Sequence, residues 1–112
     1  MSVPLQVTFH GVEKSTAAED HVRSKADKLE TLTHRIVGCR VAIEMQHRHG
    51  HGQHYRVAID VKVPGGEVVA THAPHDGSLY SAIDAAFDAV GRQLHDLLDR
   101  QRGDTKAHAR AE

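Results

Sequence analysis

The chain has no Trp, and its aromatic content is 4%, two Tyr and two Phe in 112 residues. That scarcity excludes a binder that stacks a run of bases across an aromatic sheet surface. A single cysteine, Cys39, excludes an intramolecular disulfide and suits a reducing compartment. No apolar run approaches membrane-spanning length. The start, Met-Ser-Val-Pro-Leu-Gln, has neither a basic segment nor an apolar one, so no signal peptide is read and the cytoplasm is expected. A formal net charge of −1 excludes a strongly basic, indiscriminate polyanion binder.

Histidine, by contrast, is plentiful: 11 residues, mostly neutral at pH 7 and able to add positive charge on mild acidification. Hydrophobic content of 39% and charged content of 26% fit a folded globular protein. The length fits one domain, placed at residues 1–103, with a flexible polar tail at 104–112.

Leu5, Val7 and Phe9 alternate with polar residues and predict a half-buried strand. Thr16 with Glu19 has capping-box spacing, which predicts a first helix from Thr16 to about Thr33–Arg35. Two more alternating runs follow, Cys39 to Gln46 and Tyr55 to Val63. Pro64-Gly65-Gly66 predicts a tight turn into a fourth strand, Glu67 to His72. A second helix is expected to open at Asp76–Ser78 and to reach Arg102, with Gly103 ending it. Its stripe is Leu79, Ile83, Phe87, Val90, Leu94 and Leu97, and Tyr80 also fits core packing.

Two helices with one apolar stripe each and four strands with one apolar face each bury everything in two layers. The expected fold is therefore α+β, a two-layer sandwich in the order β-α-β-β-β-α. Its four-stranded mixed sheet carries both helices on one face. The first two strands are expected to be parallel and the rest antiparallel. Arg40, Glu44, Arg56, Asp60 and Lys62 fall on the other, solvated face.

Beside the first helix's stripe of Ala18, Val22, Ala26 and Leu29 stand His21, Lys25 and Lys28, while Glu19, Arg23, Asp27 and Glu30 take the opposite flank. Such a cationic stripe suits a polyanion, and equally a solvated helix flank with local ion pairs. His47, His49, His51 and His54 fall in a glycine-rich loop. Imidazole ligates zinc, nickel or copper, but such a loop is a poor frame for a closed site, so no metal or cofactor is assigned. Cys39 reads as a buried structural thiol. No triad and no glycine-rich phosphate loop is present, which points away from an enzyme.

Two motifs carry a resemblance. One is His21-Val22-Arg23-Ser24-Lys25-Ala26-Asp27-Lys28-Leu29-Glu30. The other is Asp76 followed by Tyr80-Ser81-Ala82-Ile83-Asp84 and then Arg92-Gln93-Leu94. With the architecture above, they resemble the bacterial ribosome hibernation-promoting factor and ribosome-associated inhibitor family over roughly residues 5 to 102.

The resemblance implies a partner, the small ribosomal subunit and its ribosomal RNA, with basic helix residues occupying the channel used by messenger and transfer RNA and silencing translation under stress. It implies RNA contacts from His21, Lys25, Lys28, Arg92 and Arg100, and neither a membrane partner nor a small-molecule substrate. The length matches the short family form, without the C-terminal dimerisation domain of the long form. A departure is also visible: Ala89, Asp96, Leu98 and Asp99 stand in a helix the family usually makes richer in Lys. A histidine-loop metal-binding stress protein and a protein-interaction module, including a homodimer through the open sheet face, remain alternative readings.

Overall fold

A computed structural model describes residues 3–48, 52–73 and 78–110, with side chains described over 3–45, 54–73 and 78–103. The elements are β1 (Leu5–His10), α1 (Thr16–Lys28), a 3-10 turn η1 (Leu29–Thr31), β2 (Gly38–Arg48), β3 (Gly52–Val63), β4 (Gly66–His72) and α2 (Leu79–Arg110). The sheet runs β1-β2-β3-β4, with β1 parallel to β2 and the remaining pairs antiparallel. This is the expected two-layer arrangement.

Alternation builds the core. Cys39, Val41 and Ile43 of β2 and Val57, Ile59 and Val61 of β3 are at most 1% exposed. Onto them pack Val22 and Ala26 of α1, Leu29 of η1, and Ile83, Phe87, Val90 and Leu94 of α2. Burying this set removes apolar surface from water at about 25 cal/mol per Å², the main term favouring the fold.

Several boundaries differ from expectation, each for a local reason. Ser15, not Thr16, caps α1: its Oγ accepts from the Ala18 N–H at 3.2 Å. The α-helical hydrogen bonding stops at Lys28, and the chain tightens into η1 rather than continuing to Thr33–Arg35. Strands β2 and β3 run on until Arg48 pairs with Gly52. His47 and His54 are thus strand residues, and of the predicted histidine loop His49 and His51 lie outside the described residues. Backbone pairing holds this extension, so it needs no apolar alternation.

The second helix begins after Ser78, whose Oγ accepts from the Ser81 N–H at 3.1 Å. Asp76 lies outside the described residues. The helix continues through Gly103 to Arg110. One glycine costs only about 1 kcal/mol in a helix interior, so without proline nothing forces a stop there. At the β3–β4 turn Gly65 adopts φ 78°, as the turn chemistry requires. A Cβ on the next residue, Gly66, would sit 2.7 Å from Leu97 Cδ2, so glycine here permits the close approach of α2.

Candidate nucleic-acid interface

The two helices lie side by side, and the five basic residues singled out in the sequence are distributed along them. His21 and Lys25 stand one turn apart on α1, and both reach across to α2. His21 Nε2 lies 2.6 Å from Asp84 Oδ1, and Lys25 Nζ lies 3.4 Å from the same oxygen. One carboxylate therefore ties both to the neighbouring helix. Burial pushes the Asp84 carboxyl upward, but the hydrogen bond and charge of His21 and the charge of Lys25 outweigh it and hold Asp84 below the usual carboxylate value.

Lys28 ends α1 and is exposed. The next residue, Leu29, closes the helix contact, with its Cδ2 4.0 Å from where a Cβ on Gly91 would stand. Arg92 follows Gly91 and is exposed. Lys28 and Arg92 are thus the sequence neighbours of the contact residues Leu29 and Gly91 on their respective helices. An open groove of about 490 Å³ runs there, lined by Thr31, Leu32, Phe87, Asp88 and Arg92 among others. Arg100 lies eight residues further along α2, about 12 Å at 1.5 Å per residue, and is exposed.

Lys28, Arg92 and Arg100 have no acidic partner within 4.0 Å among the described residues. Elsewhere on α2 the charges cancel locally. Arg102 is ion-paired to Asp99, and His95 Nδ1 lies 3.4 Å from Asp99 and 3.9 Å from Asp96. Arg102 is therefore spoken for, and the acidic residues noted as departures take up cationic charge.

The other flank of α1 also pairs within itself. Arg23 Nη1 lies 3.5 Å from Asp27 and donates to the Val3 carbonyl, fastening the N-terminal segment. Cys39 is 1% exposed, and burial, with a smaller push from the charge of Asp60, raises its thiol to about 11. It is a packed structural thiol. Among the described residues, no group of three or more His, Cys, Asp or Glu side chains could hold a metal ion, and no helix is long and apolar enough to cross a membrane.

Sequence reasoning missed two residues at this interface. Asp84 was visible only as the end of a motif, since no helical period reveals which residue of another helix it meets. Tyr80, expected in the core, is 41% exposed, and its ring stands edge-on to His21 at 5.0 Å between centroids and 83° between planes. Leu79, its neighbour, packs against the core instead. Tyr80 meets α1 through the ring of His21.

The comparisons with known proteins define the class. Residues 5–102 match the family described as Sigma 54 modulation protein / S30EA ribosomal protein. The chain belongs to that family. It is 31% identical over 100 residues to a ribosome hibernation promoting factor of Pseudomonas putida, covering 88% of this chain and 91% of that one. It is 30% identical over 95 residues to a ribosome hibernation promotion factor of Deinococcus radiodurans, covering 85% of this chain and only 49% of that longer relative.

Among solved structures, the N-terminal domain of Thermus thermophilus Protein Y superposes with a TM-score of 0.71 at 25% identity, over 87% of this chain and 99% of that one. A ribosomal subunit interface protein from Coxiella burnetii shares the fold, with a TM-score of 0.68 at 20% identity over 87% of this chain and 99% of that one. Its likeness speaks to architecture alone.

Proposed function

We propose that this protein is a cytoplasmic ribosome-hibernation factor that binds small-subunit ribosomal RNA in the messenger and transfer RNA channel and silences translation by occupying it. No bond is made or broken; the mechanism is steric and electrostatic. The observation that carries the reading is the set of exposed cations, Lys28, Arg92 and Arg100, without an acidic partner among the described residues, on two adjacent helices that also carry the anchored pair His21 and Lys25. Membership of a family whose named relatives are hibernation factors supplies the partner.

Phosphate neutralisation explains both affinity and its salt dependence. With Lys25, Lys28, Arg92 and Arg100 each taking about one phosphate, counterion release predicts a log–log salt slope of roughly −2.8 to −3.6. Raising salt from 50 to 200 mM then weakens binding by roughly 50- to 150-fold. Co-sedimentation with purified bacterial small subunits measures this directly. A protein that stays at the top of the gradient at 50 mM salt, or one whose binding ignores salt, refutes the proposal.

A further inference from the structure

Four aromatic residues are present, and the fold uses three of them. Phe87 is 4% exposed, while Phe9 and Tyr55 are partly buried against the core. Tyr80 is the exception. At 41% exposure it contributes little to packing, yet it stands on the helix pair beside the cations rather than on a remote surface. Its ring meets the imidazole of His21 edge-on. That imidazole is held at 2.6 Å by Asp84, and the same carboxylate fixes Lys25 at 3.4 Å. Four side chains from two helices thus form one surface patch: a part-exposed aromatic ring, an imidazole, an ammonium group and the carboxylate that anchors the imidazole and the ammonium group.

The chemistry of that patch is specific. An exposed aromatic ring offers a π-face to any base, a contact that tolerates every sequence and is independent of charge. An ammonium group nearby takes the phosphate of the same nucleotide. Single-stranded RNA presents unstacked bases together with phosphates, whereas a paired duplex hides its base faces.

We infer that Tyr80, backed by His21, is a stacking seat for one unpaired nucleobase of RNA, with Lys25 receiving that nucleotide's phosphate. The inference rests on the RNA-binding reading above and adds to it a non-electrostatic contact and a preference for unpaired RNA. Asp84 acts here as a positioning residue, holding His21 and Lys25 without touching the nucleic acid.

The test uses the full chain and purified bacterial small ribosomal subunits, with affinity measured between 50 and 200 mM salt for wild type, Tyr80→Ala, Tyr80→Leu, Tyr80→Phe and Lys25→Ala. Loss of a base stack predicts weakening of about fivefold or more for Tyr80→Ala at every salt concentration, with the salt slope unchanged. Tyr80→Leu keeps apolar bulk without a π-face and is expected to be equally weak. Tyr80→Phe keeps the face and is expected to bind like wild type. Lys25→Ala is expected to reduce the slope by about 1.

Wild-type affinity in Tyr80→Ala or Tyr80→Leu overturns the stacking seat and leaves the cation reading intact. So does a Phe variant as weak as Ala, because the hydroxyl rather than the ring would then be acting. Failure of the wild type to bind at 50 mM salt overturns both. Thermal unfolding of each variant separates these outcomes from misfolding: if Tyr80→Ala unfolds early, the contrast between Tyr80→Leu and Tyr80→Phe decides.

Discussion

The helix layer and the open sheet face both carry charged side chains of each sign, but they dispose of them differently. On the sheet, opposite charges face each other across strands. Arg56 lies 3.6 Å from Glu44 and Lys62 lies 3.9 Å from Glu67, while Arg40 is in register with Asp60. On the helices Lys28, Arg92 and Arg100 stand without acidic partners among the described residues, and His21 and Lys25 share a single carboxylate. Pairing distinguishes the two surfaces. A surface whose cations each face an acidic partner has less to offer a polyanion than one that also carries unmatched cations.

Charge reversal should break this contrast most sharply. Lys25→Glu/Lys28→Glu is expected to weaken co-sedimentation with small ribosomal subunits by about tenfold or more. Arg56→Glu/Lys62→Glu makes the same change in net charge on the sheet and should alter binding by less than about threefold. Equal losses in the two double variants would mean that overall charge, not the helix face, governs association.

The two faces of the sheet should differ as strongly in stability. Ile59, fully buried, is expected to cost about 2–5 kcal/mol when replaced by Ala. Val69, 53% exposed on the outer face, should change stability by no more than about 0.5 kcal/mol when replaced by Thr. Chemical denaturation of both variants checks the pair.

A smaller effect is expected at the seam between the helices. Asp84→Asn removes an ion pair that is partly open to water, so the stability cost should stay within about 1 kcal/mol. Its pH dependence has a definite sign. The folded state holds the Asp84 carboxyl below its ordinary value of 3.8. The stabilisation is therefore complete above that value and fades as pH falls through the lower folded value. Denaturation midpoints of wild type and Asp84→Asn should differ at pH 6 and converge toward pH 2. A gap that persists unchanged in acid would remove the ion pair from the account.

The smallest expected signal is chemical. Cys39, 1% exposed with its thiol raised to about 11, should remain unmodified by iodoacetamide in the native protein at pH 8 and react fully in denaturant.

Much of the fold was legible because periodicity is a local property. The stripe Ile83, Phe87, Val90 and Leu94 is buried as its spacing predicts, and the alternation of Val57, Ile59 and Val61 places them all inside. What escaped depended on the backbone or on a second element. The outer part of the β2–β3 hairpin is polar, so pairing rather than burial extends it to Arg48 and Gly52. Gly103 looked like a helix end, yet the helix passes through it, since a lone glycine costs only about 1 kcal/mol in a helix interior.

At the interface, residue type and helical flank pointed to Lys25, Lys28 and Arg92 as exposed or half-exposed cations. Nothing local in sequence shows that Asp84 would reach across to His21 and Lys25. Tyr80 is an aromatic residue next to the apolar stripe of α2, and its contact with His21 depends on a second helix that local sequence does not show.

The burial of Cys39 permits the most direct measurement of the central claim. Arg92→Cys on the helices and Arg56→Cys on the sheet each introduce one accessible thiol for a photo-crosslinker. On small ribosomal subunits in low salt, the account predicts cross-links to ribosomal RNA from position 92 and few or none from position 56. Cross-links that form mainly from position 56 would contradict it.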